Sequence, residues 1–210
     1  MRLPATVACC LVSALAVAVG DLDVARQALN DGMWEAALSS ADIAATNAAE
    51  RTSARLVSLE ALARLGRNAE IERRLFRWSD ETDEHFRFWR ARAHVCAGEF
   101  NLALEALEEP FADKGLSLPA RFLKACALAA IGKRAEALGL ISPGDLDGRQ
   151  GPVSEDAGLL MGELLHDAGR NAEACGLLSP LADHAERKEV RLRAGYLLGF
   201  AEMADESSRT

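Results

Sequence analysis

Apolar residues recur three and four positions apart along most of the chain, as in Leu56, Leu59, Leu62 and Ala63. That spacing lines one face of an α-helix. Each such stretch closes on a glycine, and a second amphipathic stretch follows it. The pattern predicts helices over 22–31 and 35–48, 51–65 and 67–79, 82–97 and 100–109, 117–131 and 133–141, and 153–168 and 170–182. A last helix over 185–204 stands alone. Ala and Leu supply 71 residues against 18 for Val, Ile and Thr, which favours helix over strand almost everywhere.

The junctions repeat. Gly32, Gly66, Gly98, Gly132 and Gly169 follow one another at intervals of 34, 32, 34 and 37 residues. A turn between antiparallel helices commonly needs a residue with positive φ at the end of the first, and glycine adopts it without strain. Pro110, Pro143 and Pro180 stand 11 or 12 residues after the preceding glycine. Lacking an N–H and fixing φ, each is expected to end a second helix. The segment Ser142 to Pro152 is the one long polar connection, read either as a hinge or as a surface insertion.

These units resemble the tetratricopeptide repeat family. The resemblance is carried by the five turn glycines, by the aromatics Trp34 and Phe100 two residues later, and by Ala37, Ala103, Ala137 and Ala174 five residues after their glycines. Gly162 and Gly195 match the small residue where the family's paired helices approach closely. Asn68, Arg134 and Asn171 replace the aromatic, and Ile71 replaces the alanine. The resemblance covers nearly all of 21–204 and implies an all-α fold. That fold is a right-handed α-solenoid of antiparallel helix hairpins, about five repeats with a C-terminal capping helix. A single hairpin of about 34 residues cannot bury enough apolar surface to offset the entropy of ordering itself, so stacked neighbours must share a core.

Residues 3–20 carry no charge, follow Arg2, and end at Ala18-Val19-Gly20 before Asp21. This is the grammar of a secretory signal peptide cut after Gly20, implying export to the periplasm or cell envelope. A retained N-terminal anchor is the competing reading, and is the only route to the membrane. Cleavage would leave 23 basic and 32 acidic residues, a net charge of −9. The polar residues 205–210 read as a tail. An acidic balance argues against a nucleic-acid partner, whose binding would rest on neutralising phosphates. Cys96, Cys126 and Cys175 show no metal-ligand spacing, leaving buried thiols or a single Cys96–Cys126 bridge open.

Phe76, Trp78, Phe86, Phe88 and Trp89 cluster among six arginines between 73 and 92, a composition suited to a protein or peptide hot spot or to packing between hairpins. The resemblance implies a concave groove lined by first helices, with Glu60, Arg64, His85, Phe88, Trp89, Arg92, Phe122, Glu163, His166 and Tyr196 as peptide- or protein-binding candidates. The Lys, Asn and Arg set with which some members clamp a terminal carboxylate is absent. Leu22, Arg26, Ser53, Leu56 and His85 stand at the matching places. Glu163, His166 and Asp167 share one helical face and suggest acid–base chemistry, but no nucleophile, oxyanion donor or metal partner accompanies them. The reading is therefore a non-enzymatic scaffold binding a protein or peptide, without cofactor or metal. A membrane-anchored accessory subunit of an envelope complex is the alternative.

Overall fold

The computed structural model describes residues 21–146 and 151–209, with side chains as far as Glu206. The signal-peptide and anchor readings of residues 1–20 fall outside the described residues. The described residues are helical, with no strand among them. In chain order the helices are α1 (Asp21–Asn30), α2 (Trp34–Ala44), α3 (Arg51–Arg64), α4 (Asn68–Arg77), α5 (Glu84–Ala97) and α6 (Phe100–Ala106). There follow α7 (Lys114–Ala130), α8 (Arg134–Leu138), a 3₁₀ turn at Pro143–Asp145, α9 (Pro152–Asp167), α10 (Asn171–His184) and α11 (Lys188–Arg209).

The five turns built on the glycine junctions are nearly superimposable in backbone terms. Gly32, Gly66, Gly98, Gly132 and Gly169 all adopt φ between 71° and 84°. In each, the glycine N–H donates to a carbonyl three residues back, and the next N–H donates to one five residues back, as from Met33 to Ala28 and from Arg170 to Leu165. This is the left-handed helix end that satisfies otherwise orphaned carbonyls. The residue after each glycine, Met33, Arg67, Glu99, Lys133 or Arg170, then enters the next helix at φ −85° to −87° and ψ 53° to 65°.

The chain divides into two compact units between Trp89 and Arg90, within α5. In the first, α1, α2 and α3 pack mutually and α4 packs on α3. Leu22, Ala44 and Ala54 share one core cluster there. In the second, α7 packs with α6, α8 and α9, and α9 packs with α8, α10 and α11. One cluster joins Leu118, Leu128, Ile141, Met161 and Leu164, and another joins Leu159, Leu178, Val190 and Ala194. The polar connection from Ser142 to Pro152 falls within the bounds of the second unit.

Several boundaries differ from the sequence expectation for identifiable reasons. Pro180 does not end its helix: α10 runs through it to His184. Leu178 is fully buried, and Leu181 lies against Gly158 of α9, so apolar contact on both sides of Pro180 holds the helix past the missing N–H. Helix α7 begins at Lys114, ahead of the expected 117. Asp113 caps it by accepting from the Gly115 N–H at 2.7 Å, and buried Leu118 anchors the turn before Pro119. The residues from 205 to 209 continue α11 as helix.

Ion pairs tie hairpins to their neighbours about one repeat apart. In the first unit Arg74 reaches Asp42 at 2.9 Å, and Arg67 reaches Glu35 at 3.4 Å. In the second, Arg187 reaches Glu155 at 2.9 Å, and Arg134 reaches Asp167 at 3.3 Å.

Candidate functional site

The expected binding residues fall on both sides of the Trp89/Arg90 division. In the first unit Glu60 and Arg64 are one turn apart on α3 and pair with each other at 3.4 Å. His85, at the start of α5, has its Nδ1 2.9 Å from Asp83 Oδ1. Phe88 is half-buried, and its ring meets Trp89 edge-on with centroids 6.0 Å apart. Trp89 itself is 8% exposed, so its indole packs in the interior instead of offering a surface contact.

The aromatic and arginine cluster divides in the same manner. Phe86 is fully buried, edge-on to Trp78 at 6.4 Å. The Arg55 guanidinium stacks 4.9 Å above the Trp78 ring while holding Glu81 at 2.7 Å, a cation–π contact combined with a shielded ion pair. Phe76, in contrast, is 84% exposed beside Arg73 and Arg77. Sequence spacing alone could not separate these roles, because Phe76, Trp78 and Phe86 lie in a helix, its end and the next helix.

In the second unit Arg92 is half-buried on α5, and Phe122 of α7 packs against the cluster around Leu128 and Met161. Glu163, His166 and Asp167 do share one stretch of α9, but each has a different partner. Glu163 pairs with Arg193, His166 Nδ1 lies 2.8 Å from Asn171 Oδ1, and Asp167 pairs with Arg134. Engaged in three directions, they form no relay. Tyr196 lies on α11, its ring edge-on to Phe200 at 4.7 Å. No group of three or more His, Cys, Asp or Glu among the described residues is placed to hold a metal ion.

A feature missed by the sequence reading is a cleft of about 740 Å³ within the second unit. Its walls come from the end of α8, the 3₁₀ turn, α9 and α10, with Ile141, Leu146, Met161, Leu165, Leu177 and Leu181 lining it. Helix α8 stops at Leu138 after five residues, and the non-α-helical residues from Gly139 to Leu146 supply the wall facing α9 and α10. The early stop was foreshadowed by Gly139 followed by Ser142-Pro143-Gly144, poor helix formers in succession.

Two carboxylates fix the cleft's shape. Asp145 accepts from both terminal nitrogens of Arg121 at 2.9 and 2.7 Å and from the Ser142 N–H at 2.9 Å. Arg121 first, and the Ser142 N–H next, hold its carboxyl well below the usual range. Glu155, 6% exposed, accepts from Arg187 and from the Glu186 N–H. Burial alone would raise its pKa, but these donors outweigh burial and keep it lowered.

Cys96, Cys126 and Cys175 are free thiols. Burial pushes the Cys126 thiol up to about 11. No helix among the described residues is long and apolar enough to cross a membrane. No protein-family model matches the chain, and no curated protein matches it in sequence.

Proposed function

We propose that the chain is a non-enzymatic scaffold of the tetratricopeptide kind, its hairpins stacked as a right-handed solenoid, which binds a protein or peptide partner at the cell envelope. The observation that supports this most is the fivefold recurrence of one turn, with the same glycine conformation, the same two hydrogen bonds and the same entry into the next helix. Repeated hairpins present repeated helical faces, and such arrays characteristically act through extended surfaces. First helices carry the contact residues. In the first unit these are Glu60, Arg64, His85 and Phe88, with Trp89 supporting Phe88 from within. In the second they are Arg92, Phe122, Glu163 and His166. Export rests on the composition of residues 1–20, and a retained anchor would make the same scaffold a membrane-attached subunit.

Affinity capture of a partner from the native organism tests the reading. Replacing Arg64 and Phe88 by alanine is expected to weaken capture at least about tenfold, while far-ultraviolet circular dichroism stays helical, since hot-spot side chains of these types dominate interface energies. Unchanged capture would overturn the first-helix surface. The cleft of the second unit favours one other placement, in which apolar side chains of the partner enter between α8 and α10. In that case Leu177→Glu abolishes capture and the Arg64 and Phe88 changes do not.

A further inference from the structure

The cleft of the second unit has the dimensions of a small-molecule site. Its volume of about 740 Å³ lies within the range of roughly 300–1,000 Å³ typical of such pockets, and its walls are mainly apolar. The state of its polar groups sets the class of ligand. Among the described wall residues Glu155, Arg170 and Glu173 are charged, and each is already paired. Glu155 accepts from Arg187 at 2.9 Å, and Arg170 donates to Glu173 at 2.7 and 2.6 Å. The Ser142 hydroxyl donates to Asp145 at 2.8 Å. A charged ligand would give up its hydration on entry and meet no free counter-charge.

Backbone acceptors are differently placed. Gly139, at the end of α8, and Gly176, in α10, have no side chains, so each contributes backbone to the wall. The Gly139 N–H donates to the Ala135 carbonyl at 3.3 Å, but among the described residues no N–H donates to the Gly139 carbonyl, which lies beyond the last turn of α8. Four places after Gly176 stands Pro180, also on the wall, which lacks the N–H that a helix directs at that carbonyl. Both glycines therefore offer acceptors. The Ser154 hydroxyl, on the α9 wall, can accept as well as donate.

We propose that the cleft binds a small, uncharged, largely apolar molecule carrying a hydrogen-bond donor, of which a phenol or alicyclic alcohol is the simplest class. The donor reaches the Gly176 carbonyl, and the apolar body lies against Ile141, Met161, Leu165 and Leu177. A fatty acid or phosphate ester is disfavoured because the Arg170 guanidinium is already held by Glu173. A peptide main chain laid in the cleft is disfavoured because it brings an acceptor with every donor, and those acceptors would face the glycine carbonyls unmatched. Pro180 gains a role by the same argument. It keeps an acceptor open, at the loss of one helical hydrogen bond, in a helix that packing on either side already holds.

Isothermal titration of the purified chain with 2-naphthol, 2-methoxynaphthalene and 2-naphthoate tests this without any protein partner, so its outcome stands apart from that of partner capture. 2-Naphthol is expected to bind one-to-one and to saturate below about 1 mM. The methyl ether, with the same ring and no donor, binds at least about threefold more weakly, and the carboxylate at least about tenfold. In Gly176→Leu the new side chain enters open space, so helical circular dichroism is kept and 2-naphthol binding is lost. In Pro180→Ala the restored N–H takes the Gly176 carbonyl, and 2-naphthol falls to the affinity of the ether while the ether itself is unchanged. No saturable 2-naphthol binding overturns the site, and so does binding that survives Gly176→Leu intact. An ether or carboxylate as tight as the alcohol overturns the ligand class, as does a Pro180→Ala chain that still prefers the alcohol. Loss of helicity in Gly176→Leu moves that arm of the test to Gly139→Leu, with the same expected loss of binding.

Discussion

Cysteine 126 shows how far environment outweighs residue type. Three thiols lie in the described residues, and nothing in their sequence spacing distinguishes them. Yet Cys96 is exposed, whereas burial, aided by the charge of Asp156, drives Cys126 to about 11. The thiolate is the reactive species, so a buried thiol held this high is almost entirely protonated near neutrality. Brief treatment with iodoacetamide at pH 8, followed by peptide mass spectrometry, is expected to label Cys96 well before Cys126. Adding denaturant should bring Cys126 to a comparable rate. Equal labelling of both in the folded protein would contradict the burial of Cys126. The aromatic residues carry the same lesson: Phe76 and Phe86 are one residue type in one arginine-rich stretch, but one is almost wholly exposed and the other wholly buried.

At the scale of elements, glycines of one type serve three different purposes. A Cβ on Gly162 would stand 2.7 Å from Leu178 Cγ, and Leu178 is fully buried, so it has nowhere to retreat. Gly162→Ala therefore gains about 1 kcal/mol of helix propensity but is expected to lose a net 1–2 kcal/mol from crowding α9 against α10. Gly66 has open space but φ of +71°, so Gly66→Ala costs about 1–2 kcal/mol from backbone strain alone. Gly176 has neither constraint, and Gly176→Ala should stabilise by up to about 1 kcal/mol. Urea unfolding of the three variants checks both the signs and their order. A stabilised Gly162→Ala would show that α9 and α10 are not in close contact. These glycines also mark what was legible beforehand. The five junctions were readable because only glycine tolerates their φ, and Gly162 was readable through the family resemblance. Gly195, matched in the same way, has only an ordinary contact with Ala182, while the tight approach of Gly158 to Leu181 gave no sign in sequence. Pro180 misled because its local rule was outweighed by the packing of Leu178 and Leu181.

For the molecule as a whole, helical class and hairpin order were written in periodicity, whereas the division at Trp89 and the cleft of the second unit were not. The cleft region is held by residues far apart in sequence, such as Arg121 with Asp145 and Glu155 with Arg187. Those same pairs govern how stability responds to acid. Asp145 and Glu155 both titrate lower in the folded protein than their ordinary values of 3.8 and 4.5. A carboxylate with a depressed folded pKa contributes its full stabilisation above the unfolded value and loses it as pH falls through the folded one. The urea midpoint should hence be nearly level from pH 7 to about 5.5 and decline below about pH 5. In Asp145→Asn with Glu155→Gln, the neutral-pH stability should drop by about 2–4 kcal/mol, the loss of two sets of charge-assisted hydrogen bonds. The decline below pH 5 should at the same time become shallower. Glu70, lowered by Arg74 and Arg67 against the opposing effect of its burial, remains in the variant and preserves part of the slope. All three tryptophans lie at or before Trp89. Their fluorescence accordingly reports the first unit, where neither substitution lies, while circular dichroism reports the whole chain. The variant is expected to shift the dichroism transition more than the fluorescence transition. Acid profiles that stay parallel between wild type and variant would mean that these two carboxylates do not set the acid limit of the fold.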